Sequence, residues 1–503
     1  MSFSIVGFDN NYLVPRFAGQ IVFGAGTLSA ASAQMRVLLV GQKLAGGTLA
    51  TNAAPSLCQS LDDADVQCGA GSELARMAYV ALKVPGTTVY LAAVPEPAGT
   101  AATATLLLGG TWTVGGTWSL RLAGQTLTGS VAASDTVSTI GPVIAAAINA
   151  QTRLPFTAAF SVATITITAK QLGARTKDWI LYWDATQLPT GFTTTLTGSS
   201  AINTNGVRFG ASASGTGTED VTTVLTKVLS QRYARIACAS NDATNAPLFR
   251  NQVNAKAGPL SLLFENIIFG WNNAQATAQT LAQTTLNAQR AQVLWSRNCE
   301  SHPAEIAAAN AAMRAGREQT DPVPDYDGNV LLGIAPQAFD ADLHTDVEKN
   351  LCLNNGVTPL DTVNGTTVVV RAITSYCLLG GTTQDTRTLD IGDAVFPDFA
   401  MIDLQLMYAT DYRPNNKYVG PDNAPEEFEP PEGIGTPKVW NAKVTQRLKV
   451  YFDNKWIESP TGANLPSSEY NSASKRIMSS IPLVVRRVQH QLGSIIRQTA
   501  SAG

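Results

Sequence analysis

The stretch Asn354-Asn355-Gly356-Val357-Thr358-Pro359-Leu360, followed closely by Gly365-Thr366-Thr367-Val368-Val369-Val370-Arg371-Ala372-Ile373-Thr374-Ser375-Tyr376, decides how the rest of the chain is read. Asn-Asn-Gly is helix-stop punctuation, because asparagine and glycine tolerate the left-handed backbone that ends a helix. A turn is expected next, and the β-branched run is expected to re-enter as a strand carrying one arginine. This helix-to-strand step lies far downstream of a first α/β unit and just before a basic C-terminal region.

The first unit begins with Met35-Arg36-Val37-Leu38-Leu39-Val40-Gly41, a short buried strand. Ser72 to Leu82 places Leu74, Met77, Ala78, Ala81 and Leu82 on one face of a helix, and Thr87 to Val94 supplies a second strand. Strand, helix and strand in that order imply a parallel pair. After Pro95-Glu96-Pro97-Ala98-Gly99 the composition turns to Thr and Gly, with strands expected at Thr117 to Leu122 and Ala163 to Ala169 and one helix near Thr136 to Ala150. Alternation then resumes: Thr218-Glu219-Asp220 reads as a cap for a helix running to Leu229, and Tyr233 to Ala239 as a strand. The fold class that follows is α/β plus α+β multidomain, with a discontinuous α/β core. The expected partition is an N-terminal arm over 1–30, core over 31–96 and 205–390, an inserted β-rich domain over 97–204, a C-terminal α+β domain over 391–476 and a C-terminal arm over 477–503.

Charge is unevenly spread. From Gly433 onward there are ten basic residues (Lys438, Lys443, Arg447, Lys449, Lys455, Lys475, Arg476, Arg486, Arg487, Arg497) against Asp453, Glu458 and Glu469, while Glu426, Glu427, Glu429 and Glu432 form an acidic, proline-rich loop just upstream. The basic residues alternate with apolar ones, as in Val444 to Phe452, which favours a solvated face or an acidic protein partner over nucleic acid. Both ends are rich in apolar residues. Ile5, Val6, Phe8, Leu13, Val14, Phe17, Ile21 and Phe23 lack helical periodicity and are broken by Gly7, Pro15 and Gly19. Ile481 precedes Pro482, which favours an extended entry, and Leu483, Val485 and Val488 follow it, where the later spacing allows a helix.

Taken in order, the 354–376 stretch, the earlier α/β unit and the basic C-terminal part resemble the contractile tail sheath proteins of Mu-like phages. The resemblance implies a subtilisin-like core, an inserted domain on the outside, and arms exchanged between subunits, with the terminal apolar residues as inter-subunit candidates. It implies that Lys438, Lys443, Arg447, Lys449, Lys475 and Arg476 face a tail tube. The implied partners are further copies in stacked rings of a helical sheath, a tube protein, and baseplate and tail terminator proteins, in a virion assembled in host cytoplasm. A sheath of a phage-derived injection particle would share these features.

Composition agrees with a mechanical role. The 503 residues are 45% hydrophobic and 15% charged with a net charge of −3, which argues against nucleic acid or an anionic membrane as a partner. Six cysteines without a C-x-x-C pair read as reduced thiols, not as a zinc site or disulfide framework. No secretory leader or membrane-length apolar run is expected, and no cofactor or metal.

Catalytic motifs are approached and missed. A serine triad needs a base, and only His302, His344 and His490 exist; none lies in a glycine-flanked strand-end setting. His302 is expected at a helix start, His344 in a polar helix, and His490 in the tail. Gly210-Ala211-Ser212-Ala213-Ser214-Gly215 misses G-x-S-x-G because Ser214 takes the second glycine's place. Gly41 to Thr48 mimics a phosphate loop but has Gly47 where the lysine would be. Asp325 to Asn329 opens like a calcium loop, yet Val330 and Pro336 replace the required glycine and glutamate. A hydrolase lacks its base, and a β-rich fibre or adhesin fits only the 101–200 region.

Overall fold

The computed structural model describes residues 35–337, 339–422 and 433–486. Its centre is an eight-stranded sheet in the order Thr366–Val369, Val357–Val363, Ala291–Trp295, Asn266–Trp271, Arg235–Cys238, Arg36–Gln42, Thr88–Val94, Ser56–Cys58. The six inner strands are parallel and the two edge strands antiparallel. Parallel sheets need cover on both faces, and these strands are accordingly largely apolar and buried, with Arg235, Asn266 and Gln292 as buried polar exceptions. Val37 and Leu39 face one apolar cluster with helices Glu73–Ala81 and Pro303–Glu318. Leu38 and Val40 face the other, with helices Thr222–Lys227 and Ala246–Lys256. Alternating side-chain direction along a strand is what divides that run between two cores.

Within the 354–376 stretch the order differs from the expectation. Helix Asp346–Asn354 passes through the two-residue turn Asn355-Gly356 (φ 74° at Gly356) straight into the strand Val357–Val363, so the strand starts before the β-branched run of 366–370. A side chain at Gly356 would meet the Ser375 carbonyl oxygen at 2.7 Å. Pro359 occupies the last parallel pair, opposite Trp295, where the ladder to Ala291–Trp295 ends. Asn364-Gly365 is instead the turn of a hairpin into Thr366–Val369. Arg371 lies beyond that strand and pairs with Asp390 at 2.8 Å. His344 is not helical either: it precedes the Thr345 cap of Asp346–Asn354. The 56–68 segment adds a three-residue strand and helix Leu61–Cys68 that the apolar pattern does not announce.

Residues between Thr103 and Arg208 form two antiparallel sheets. One runs Phe192–Thr197, Thr103–Gly110, Thr164–Ala169, Phe156–Ser161; the other Ser200–Asn203, Gly206–Arg208, Ile180–Asp184, Gly116–Leu122, Gln125–Val131. Strict alternation produces them: Ile165, Ile167 and Ala169 point inward while Thr164, Thr166 and Thr168 point outward. Helix Val137–Ala150 and the rings of Trp118, Trp183 and Phe156 complete that core.

The remaining described part is built on helices Ile391–Met407 and Pro437–Asp453 and the hairpin Ser467–Asn471/Arg476–Ser480. Helix Ile391–Met407 serves two cores: Ile391 and Val395 pack with the sheet, and Phe396, Phe399, Ala400 and Leu404 with the C-terminal cluster.

Candidate functional site

Helix Pro437–Asp453 starts at Thr436, whose hydroxyl accepts the Val439 N–H, with Pro437 at its first turn. Trp440, Val444, Leu448 and Tyr451 recur at helical spacing and are buried against Phe396, Phe399 and Leu404. The basic residues divide by what they touch. Lys438 and Lys449 are exposed and make no ion pair among the described residues. Lys443 donates to Asp411 at 2.8 Å, and Arg447 grips the buried Asp403 with Nε and Nη2. Tyr451 donates its hydroxyl to the same carboxylate. Burial, followed by that carboxylate, pushes the Tyr451 phenol far above its ordinary range, and the hydrogen bond to Asp403 raises Arg447. Arg447 therefore spends its fork on its own chain. Lys475 is exposed in the hairpin turn, and Arg476 is half-buried in the second strand.

The hairpin lies on the same helix: Trp440 Nε1 donates to Ser479 Oγ at 3.1 Å, and Ser468 Oγ bonds Asn441 Oδ1 at 2.6 Å. Its strands pair with each other and, among the described residues, with no third strand. An outer edge of a two-stranded sheet is where a further strand can add by backbone hydrogen bonds. The chain continues extended from 481 to 486, bridged back by Glu458 N–H to Val484 O (2.9 Å) and Arg486 N–H to Trp456 O (3.0 Å). Leu483 is buried, and Ile481 and Val485 pack on the same C-terminal cluster. These three candidate arm residues sit on their own domain because the 456–458 segment offers them backbone partners and an apolar floor. Ile5, Val6, Phe8, Leu13, Val14, Phe17, Ile21, Phe23, Val488, His490 and the Glu426–Glu432 loop lie outside the described residues.

The near-miss motifs resolve into structural contacts. Lys43 Nζ donates to the Leu44 and Gly47 carbonyls, closing the phosphate-loop mimic on itself. Asp325 accepts the Asp327 N–H, a local turn. His302 caps helix Pro303–Glu318. The His344 ring stacks on Trp295 at 3.9 Å; Nδ1–H donates to Leu360 O (2.7 Å) and Nε2 accepts the Arg297 N–H (3.0 Å). Burial lowers His344 to about 4, so that it stays neutral. All six cysteines are buried free thiols. Among the described residues no cluster of three or more His, Cys, Asp or Glu could hold a metal, and no helix is long and apolar enough to cross a membrane. The basic residues of this helix were legible in the sequence as interleaved charge, but neither the helix nor the partners Asp403 and Asp411, more than thirty residues upstream in Ile391–Met407 and its continuation Tyr408–Tyr412, were. No local spacing signals that pairing.

No family model matches the chain. A Mu-like prophage FluMu tail sheath protein from Haemophilus influenzae is 27% identical over 355 residues, covering 68% of this chain and 68% of that protein. Among solved structures, the sheath tail protein of Desulfitobacterium hafniense is 12% identical with a TM-score of 0.47, over 89% of this chain and 93% of that one. The anti-feeding prophage helical sheath in its contracted state is 10% identical with a TM-score of 0.45, over 100% of both chains. The resemblance read from the residues thus meets a tail sheath protein as a curated relative.

Proposed function

We propose that this chain is the structural subunit of a contractile tail sheath, which polymerises around a tail tube and contracts to drive the tube through a bacterial envelope for genome delivery. The observation that carries this reading is the 27% identity to a Mu-like tail sheath protein over two thirds of both chains. The work of contraction comes from subunit contacts that improve as rigid bodies repack, so no residue needs to break a bond. The α/β core is read as subtilisin-like on its covered parallel sheet, with the six-part domain partition given above.

Two surfaces support the partners in this reading. The edges of the Ser467–Asn471/Arg476–Ser480 hairpin, which pair with no third strand among the described residues, suit β-augmentation by an arm from another copy, with the apolar residues of 1–30 and the segment beyond Arg486 as the donated strands. The exposed Lys438, Lys449 and Lys475 suit an acidic tube, attracted at long range and released as the radius grows. Baseplate and terminator proteins cap the polymer, and the particle is a virion assembled in host cytoplasm.

Negative-stain electron microscopy of the purified full-length chain, alone and co-expressed with a candidate tube protein, tests the proposal. Long hollow tubes with helical striations are expected. Monodisperse particles under both conditions would refute it.

A further inference from the structure

The central sheet reverses its strand order between Arg36–Gln42 and Arg235–Cys238. From the first strand the chain moves outward to one side through Thr88–Val94, and later to the other through Arg235–Cys238, Asn266–Trp271, Ala291–Trp295 and Val357–Val363. In open α/β sheets the crevice beyond the carboxyl ends of the strands at such a reversal is where ligands bind. Here the occupant comes from the chain itself.

The short turn Ala174–Asp178 of the inserted domain carries Arg175, which is 8% exposed, into that crevice. Its Nε and Nη2 donate to the two oxygens of Glu73 at 3.1 and 2.6 Å. Its Nη1 donates to Ser240 Oγ at 2.8 Å and pairs with Glu219. Gln42, at the end of the first strand, donates its N–H to Glu73 Oε2 at 2.9 Å and its side-chain amide to Glu219 Oε2 at 3.4 Å. His302 holds the entering backbone: Nε2–H donates to Arg175 O at 3.1 Å while Nδ1 accepts the Ala304 N–H. Both carboxylates are buried, with Glu73 at 7% and Glu219 at 5% exposed. Two buried carboxylates and a hydroxyl arranged around one planar fork select a guanidinium over an ammonium, which offers only a point charge.

We propose that the switch-point crevice of the core is a guanidinium-binding site whose resident ligand is Arg175 of the inserted domain. The inserted domain is then held to the core as a ligand is held in its pocket, and the two respond to force as one body. The crevice vacated by Arg175→Ala accepts a free guanidinium ion. This inference stands on the geometry of one chain and does not depend on the sheath reading.

The test is thermal unfolding of the full-length Arg175→Ala protein with low-millimolar guanidinium chloride, against equal methylammonium chloride and sodium chloride. Unpairing two buried carboxylates lowers Tm by on the order of 10 °C. Guanidinium restores several degrees of that loss, methylammonium and sodium restore none, and the wild type shows no rise. A variant that melts with the wild type, or one helped equally by methylammonium, overturns the proposal. Should Arg175→Ala give no folded protein, the Glu73→Gln/Arg175→Met/Glu219→Gln triple variant decides. With both sides neutralised it folds and ignores guanidinium if the crevice is a charge-matched site; failure to fold overturns the idea.

Discussion

The eight-stranded core sheet and the two-stranded C-terminal hairpin are opposite solutions to the same problem, which is what to do with a sheet's faces and edges. The core sheet is covered on both faces, and each edge closes with a short antiparallel strand. The hairpin is covered on one side by helix Pro437–Asp453 and pairs with no third strand among the described residues. A two-stranded sheet is marginal by itself. The difference teaches where substitutions should read out differently: those in the core as lost folding, and, if the hairpin takes a strand from another copy, those in the hairpin as lost assembly.

The sharpest break of that contrast is Trp295→Ala. Trp295 is fully buried at the carboxyl end of an inner strand of the sheet and donates its indole N–H to Asn273 O at 2.8 Å. Truncation should cost about 3–5 kcal/mol in urea unfolding, and a loss below about 1 kcal/mol would contradict a well-packed core. Its stacking partner tests the same region through pH. His344 is lowered from 6.5 to about 4, so the unfolded chain takes up its proton first. Stability from this group is fully present above pH 6.5 and declines as pH falls from there toward 4, by on the order of 3 kcal/mol in all. Unfolding free energies of wild type and His344→Gln between pH 7.5 and 4.5 should therefore converge as the pH drops. Parallel curves would rule out the neutral, buried imidazole.

The two regions also differ in how far the sequence revealed them. Apolar runs such as Val37–Val40 and the Leu74/Met77/Ala78/Ala81 face carry their burial in local spacing, so the parallel unit was legible. The three-residue strand Ser56–Cys58 was not, because its pairing with Thr88–Val94 is decided by tertiary contact. In the 354–376 stretch the helix stop and the β-branched strand were visible, while the strand Val357–Val363 was not, because its pairing with Ala291–Trp295 is a tertiary contact. The basic helix was legible as charge, but not the sorting of that charge, since Asp403 and Asp411 come from elsewhere. Ile481, Leu483 and Val485 were read as arm residues; that they pack on their own domain follows from the 456–458 segment, a tertiary contact that no local spacing signals.

Asp403 sharpens the comparison on the C-terminal side. Arg447→Ala leaves this carboxylate, whose side chain is 2% exposed, with the Tyr451 hydroxyl but without its cation. Because the Arg447 side chain is itself 37% exposed, solvent screens part of the loss, and about 2 kcal/mol is expected. Arg447→Ala/Asp403→Asn should recover part of it, measured in the same unfolding assay. No recovery would mean that Arg447 acts through packing alone.

Proline placed in turn at Ser468 and Glu469 probes the hairpin edge. Adjacent strand positions direct their N–H groups to opposite sides, so one variant removes an inward ladder bond and the other an outward donor. The outward one should melt within a few degrees of wild type yet fail to form long polymers by electron microscopy, and polymers from both variants would eliminate the edge as an acceptor. The smallest effect on the monomer is expected from Lys438→Glu/Lys449→Glu. Both side chains are exposed and unpaired among the described residues, so stability should stay within about 0.5 kcal/mol. If this face meets an acidic tube, co-sedimentation of the chain with tubes should fall, most at low salt and less as the Debye length shrinks. Equal co-sedimentation at every salt concentration would remove the basic helix from the tube interface while leaving the hairpin edge untouched, so the two surfaces can fail independently.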